Sequence, residues 1–101
     1  MYALFLDDRR DPPDRSWVVV RSFEEAVAYV EQHGMPGFVS FDHDLGLGKT
    51  GFDFAKWLVE RHLDGSPLPD DFTFTVQSTN FDGGNNIESL LRSFLRHVRH
   101  G

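Results

Sequence analysis

The sequence has no cysteine, so disulfides, zinc–thiolate sites and thiol nucleophiles are excluded, and a reducing compartment, the cytoplasm by default, suits it. No apolar run approaches the roughly 20 residues a membrane span requires. Met1 leads straight into a short strand-like run that ends in acids, which is not the pattern of a secretory leader. Positive charge is scarce: ten Lys and Arg stand against sixteen Asp and Glu, for a formal net charge of -6. That balance argues against an extended nucleic-acid groove, which depends on neutralising many phosphates. A small phosphorylated ligand that reaches acids through a metal remains compatible with it. Repeats, low-complexity tracts and breaks in composition are also missing, so residues 1–101 are expected to form one small domain. What the chain does have is aromatic bulk, ten Phe and two Trp within a 40% hydrophobic composition, enough for an independent core at this length.

Short apolar runs alternate with helical patterns. Tyr2–Leu6, Trp17–Val20, Phe38–Phe41 and Phe72–Val76 read as strands, two of them near-continuous apolar runs as in strands buried on both faces. Between the first two lies a charged segment with Pro12 and Pro13, which excludes a regular element over most of its length. Ser22 with Glu25 three residues on forms a capping box for a helix carrying Phe23, Ala26, Val27 and Val30 on one face, and Gly34 ends it. A second helix follows the glycine-rich loop of Gly46, Gly48 and Gly51 and runs to about His62, with Phe54, Trp57 and Leu58 at helical spacing. Asn80–Asn85 reads as a loop, with Asn86 as a cap for a last helix whose stripe is Ile87, Leu90, Leu91, Phe94, Leu95 and Val98. Arg96, His97, Arg99 and His100 suit the negative end of that helix. The order predicts a three-layer α/β sandwich on a mainly parallel four-stranded sheet, with helices on both faces. An open edge strand in such a sheet could pair between chains, so a homodimer is compatible with it.

Ligands of open α/β sheets bind beyond the carboxyl ends of the strands. There Asp7 and Asp8 close the first strand, and Asp42, His43 and Asp44 close the third. Clustered carboxylates repel one another unless bases, hydrogen bonds or a cation compensate. A hard ion such as Mg²⁺ or Mn²⁺ compensates well, taking one or two carboxylates together with phosphate oxygens of a ligand. Asp8 and Asp42 are the expected direct ligands, with Asp7 acting directly or through water. His43, between two acids, is a candidate general acid or base, and Asp44 either faces the site or holds His43 and its loop. Ser78, Thr79 and Asn80 follow the fourth strand and reach the same edge, where hydroxyls and amides bind phosphate or make turns. Arg9 is a candidate phosphate clamp or a counter-ion of the acids.

The acid pair, the Asp after the third strand and the Ser/Thr after the fourth resemble the response-regulator receiver fold, itself flavodoxin-like. That resemblance implies Mg²⁺ at Asp7 and Asp8, a phosphoacceptor at Asp42 and a sensing hydroxyl at Ser78 or Thr79. The chain departs from it in having no helix between the first two strands, no fifth strand and no counterpart of the receiver lysine. A closer resemblance is to the cyclic-phosphate processing receiver domains, through Leu6-Asp7-Asp8-Arg9, Trp17, Phe41-Asp42-His43-Asp44-Leu45-Gly46, Gly51, and Ser78 and Asn80 leading to Gly83 and Asn86-Ile87. Where members often carry His before the serine, this chain has Gln77. The resemblance implies a truncated receiver-like domain that processes a cyclic phosphate. The alternatives are a phosphoacceptor signalling receiver and a non-catalytic interaction module on the same fold.

Overall fold

The structure, a computed structural model, describes residues 1–46, 48–77 and 81–100. The strands are β1 (Ala3–Leu6), β2 (Trp17–Val20), β3 (Phe38–Phe41) and β4 (Thr73–Val76), and the helices are α1 (Phe23–His33), α2 (Gly51–Leu63) and α3 (Phe81–His100). The sheet is wholly parallel in the order β2-β1-β3-β4, with Leu6 in register with both Val20 and Phe41. The receiver-like α/β class expected from the sequence is therefore present. No helix among the described residues is long and apolar enough to cross a membrane.

The helix starts are set by side-chain caps. Ser22 Oγ accepts from the Glu25 N–H at 3.1 Å, and Thr50 and Asp53 cap α2 reciprocally. Gly34 ends α1 with φ 91°, a conformation that costs a glycine little. The last helix differs from its expectation: it begins at Phe81, so the stretch to Asn85 read as a loop is helical apart from Asn80, which lies outside the described residues. Two glycines there disfavour helix locally, each by about 1 kcal/mol against Ala. The packed stripe of Ile87, Leu91 and Leu95 anchors the helix, and its extension by one turn needs no new nucleus.

The layers are also distributed unevenly. The β2–α1–β3 and β3–α2–β4 crossovers step the same way across the sheet, so two right-handed connections share one face. The third helix packs beside α2, and buried side chains of all three helices join Leu4, Leu6, Val20, Val39 and Phe41 in one core. The opposite face, where a helix between β1 and β2 would lie, has no helix among the described residues. It carries the Pro12-Pro13 segment beside Trp17 and Val19, and an aromatic group in which Trp17 stands edge-on to Phe5 and Phe38 at centroid separations of 5.7 and 5.3 Å. Residues Asp7 to Ser16 bridge two parallel strands without a helix because the prolines forbid one, and the sheet aromatics shield that side instead.

Candidate metal centre at the strand ends

Adjacent parallel strands that end in step bring their following residues together. The ladder continues one residue past each strand: the Asp7 N–H donates to the Val20 carbonyl at 3.1 Å and the Asp42 N–H to that of Leu6 at 3.0 Å. The acids are thus fixed at the backbone before any side-chain interaction is made. One carboxylate oxygen from each of Asp7, Asp8 and Asp42 lies within 4.8 Å of the others. Asp7 and Asp42 are buried and Asp8 is partly exposed.

Asp7 organises the loop that follows it. Its Oδ1 accepts from the backbone N–H groups of Arg9 and Arg10 at 3.0 and 2.9 Å, and its Oδ2 accepts from Arg10 Nε at 2.9 Å. Burial pushes the Asp7 carboxyl up, but the Arg10 and Arg9 amides and the Arg10 guanidinium together outweigh it and hold the group below the usual carboxylate range. Arg10 continues across the site, with Nη2 donating to the Gln77 carbonyl at 3.1 Å and lying 3.8 Å from Asp42 Oδ2. A second arginine, Arg21, braces the loop from β2: Nη1 donates to the carbonyls of Asp7 and Arg10 at 3.2 and 2.5 Å, and Nη2 pairs with Asp11.

Asp8 and Asp42 are less well compensated. The Oδ1 of Asp8 is buried and accepts no hydrogen bond among the described residues, and its ion pair with Arg9 Nε is long, at 3.7 Å. Asp42 is held above the usual carboxylate range, first by burial and then by the Asp7 charge, with Arg10 and the Asp44 amide opposing and Asp8 adding to the rise. A buried carboxylate oxygen that lacks a hydrogen-bond donor, beside a second acid that resists ionisation, is what a bound cation would correct. The donor set is all oxygen, which fits Mg²⁺ or Mn²⁺. The residues present therefore fit a divalent ion, with Asp8 and Asp42 best able to ligate it and Asp7 already committed to the loop.

The loop after β3 supplies the neighbouring chemistry. His43 Nδ1 lies 3.0 Å from Asp44 Oδ1, so Asp44 orients the imidazole. Gly46, at φ 76°, turns the chain back under Asp8: a Cβ there would sit 3.7 Å from Asp8 Oδ2. Gly51 starts α2 so close to the site that a Cβ would meet the Asp42 carbonyl oxygen at 2.0 Å, and its own N–H donates to the His43 carbonyl at 2.9 Å. The glycine at the head of α2 thereby presses the helix against the backbone that carries Asp42.

This geometry sits in a chain of which residues 2–93 match the profile described as Cyclic-phosphate processing Receiver domain. The chain belongs to that family. No curated protein and no solved structure matches it. Within the family frame, the structure brings together Asp7, Asp8 and Asp42, with His43 and Asp44 adjoining on the loop that leaves β3. Arg9 projects outward, its side chain 78% exposed, with the long contact to Asp8 as its one side-chain ion pair among the described residues. Ser78, Thr79 and Asn80 lie outside the described residues. Lys49, a further loop cation, stacks over the Phe23 ring at 5.2 Å.

Two site residues escape sequence reasoning. Arg10 looks like one more charge in an Arg-Arg-Asp run, and only the turn made by Asp7 decides that the second arginine folds inward. Arg21 follows β2 as an apparent helix-flanking charge, and the pairing of β2 with β1 is what places it against the acidic loop. The available signal was positional, since a cation just past a strand paired with β1 reaches the same sheet edge as the acids.

Proposed function

We propose that the domain hydrolyses a cyclic phosphodiester with the help of a divalent ion, Mg²⁺ or Mn²⁺, held by Asp8 and Asp42. The observation that carries this reading is the buried Oδ1 of Asp8, which accepts no hydrogen bond among the described residues, in an acid cluster that only partly compensates its own charge. Family membership supplies the class of ligand. When bound, the ion supplies neutralisation of phosphoryl charge and a lowered pKa for water.

The remaining work falls to the chain. Asp7 holds the turn and fixes Arg10, whose guanidinium spans the site from Asp7 to Gln77 and is placed to meet a phosphate oxygen by charge-assisted hydrogen bonds. Arg9, Ser78, Thr79 and Asn80 complete the phosphate contacts. With Nδ1 held by Asp44, His43 exchanges its proton at Nε2. Water oxygen adds to phosphorus and gives up a proton, one ring P–O bond breaks, the departing alkoxide takes a proton from His43, the proton released by water restores His43, and the product is a phosphomonoester.

The direct test is turnover of a panel of cyclic phosphates with Mg²⁺ or Mn²⁺. The reading expects ring opening that is lost on chelation and falls at least a hundredfold in Asp42→Asn, Asp8→Asn and His43→Gln, the usual scale for such groups. Turnover unchanged in Asp42→Asn would end it. Labelling of Asp42 by acetyl phosphate, read by mass spectrometry, would instead support the phosphoacceptor alternative.

A further inference from the structure

We infer that the outer edge of β4, with the arginine face of α3 beside it, binds an extended acidic peptide segment by strand addition. β4 is an edge strand. The Thr73 N–H donates to the Gly37 carbonyl at 3.2 Å and the Gln77 N–H to the Phe41 carbonyl at 2.7 Å, so odd-numbered residues of the strand face β3. In a parallel ladder the alternate residues turn both backbone groups the other way. The N–H and C=O of Phe74 and Val76 therefore point outward, with no strand beyond them among the described residues. Such a row is a ready template for another chain.

Beside that edge runs a groove of about 390 Å³, in which Phe72, Phe74 and Leu95 meet Arg92, Arg96 and Arg99. The arginines are spaced four and three apart, which puts them on one helical face. Arg99 Nη2 already donates to the Phe72 carbonyl at 2.6 Å, the first acceptor on the outward side, so the stripe lies within hydrogen-bonding reach of the strand edge. Arg92 is paired with Glu88 at 2.7 Å, and Arg96 has no ion pair among the described residues. The helix dipole accounts for a cation in the last turn, at Arg99, but not for Arg92 two turns earlier.

Charge selects the occupant. Three of only ten Lys and Arg gather at this groove in a chain of net charge -6. A second copy paired edge to edge by a two-fold axis would set this arginine stripe against its own image, and like charges so placed repel. A peptide with acids on the α3 side meets the arginines through its carboxylates, lays their methylene stems on the Phe74–Leu95 floor and meets the free backbone groups through its main chain, while its alternate side chains turn to the opposite sheet face.

The probe is a capped, fluorescein-labelled seven-residue peptide alternating valine and glutamate, with a valine–lysine peptide as control, followed by anisotropy and by amide NMR. The proposal expects saturable binding of the acidic peptide alone, with shift changes and slowed hydrogen exchange at the Phe74 and Val76 amides. Arg96→Glu, at an exposed position, should leave the melting temperature unchanged and weaken binding by about fivefold, the scale of one exposed ion pair. Val76→Pro removes an outward donor without touching the β3 ladder and should weaken binding further. Equal binding of both peptides, or no response at Phe74 and Val76 with millimolar peptide, overturns the proposal. Protection of those amides that grows with protein concentration alone would assign the edge to a second copy. Tighter, Arg96-dependent binding of a single-stranded oligonucleotide would assign the groove to nucleic acid.

Discussion

Replacing Asp42 by Asn should make the metal-free protein more stable while abolishing its response to metal. The carboxylate of Asp42 lies within 4.8 Å of those of Asp7 and Asp8. At an effective dielectric near 20, each such pair costs about 3.5 kcal/mol. Arg10, 3.8 Å from Asp42, returns about 4 kcal/mol on the same scale. The excess of repulsion is about 3 kcal/mol, and exposure of Asp8 and Arg10 to water reduces it to about 1–2 kcal/mol. For a domain of this size that corresponds to a rise of roughly 5–10 °C in melting temperature. Asn preserves an oxygen able to accept from the Asp44 amide. Adding an ion at ten times its Kd stabilises the wild type by about 1.4 kcal/mol and leaves the variant unmoved. Thermal melts of both proteins in chelator and in a Mg²⁺ or Mn²⁺ series measure all four values. A lower melting temperature for Asp42→Asn in chelator would refute the reasoning, because it would mean that the acids are already compensated within the fold.

Other perturbations test the supports of the site. Gly51→Ala drives a Cβ into the Asp42 carbonyl, which belongs to the backbone and cannot swing away, so a loss of about 3 kcal/mol in denaturant unfolding is expected together with weaker metal binding. Arg21→Ala removes the brace on the Asp7 and Arg10 carbonyls and should cost about 1–2 kcal/mol, with faster hydrogen exchange confined to residues 7–11; uniform exchange across the sheet would show that Arg21 acts on the whole fold. The two buried acids give opposite pH signatures. Asp7 is held below its usual value of 3.8, so its stabilisation is complete above that value and is lost as pH falls through the lower folded value. Asp42 is held above 3.8, so its contribution is present below that value and is lost as pH rises through the higher folded value. The stability of wild type relative to Asp42→Asn should therefore fall with rising pH in that upper window, and a flat difference would contradict the assignment.

Apolar periodicity made the parallel sheet and the acid positions legible, because a strand that ends in an acid marks its own carboxyl end. The cap pairs Ser22–Glu25 and the stripe from Ile87 to Leu95 likewise declare their helices. The distribution of layers was less legible. It depends on the direction in which successive crossovers step, and strand order is not written in any local pattern. The start of α3 was hidden by Gly83 and Gly84, whose low propensity is a local fact overridden by packing further along the helix. Arg10 and Arg21 were invisible for a related reason, since each gains its role from a turn or pairing that recruits a charge otherwise indistinguishable from a solvated one.

Arg10 offsets part of the acids' charge without an ion, and this sets its relation to metal. Its guanidinium touches Asp7, approaches Asp42 and is tied to the Gln77 carbonyl, a position from which it lowers the negative potential that a cation would feel. Removing that charge should strengthen metal binding even as it weakens phosphate binding. Arg10 is about half exposed, at 49%, so the direct attraction to Asp42 must be discounted to roughly 1 kcal/mol, or about a fivefold gain in metal affinity for Arg10→Met. Met keeps the length of the side chain, and the backbone N–H groups of Arg9 and residue 10 still hold Asp7 Oδ1. Calorimetric titration of Mn²⁺ into Arg10→Met, with inorganic phosphate added in a second series, separates the two effects: tighter metal and weaker phosphate. If metal affinity fell instead, Arg10 would be the scaffold that holds the carboxylates in ligating position, and its charge would be secondary to its hydrogen bonds.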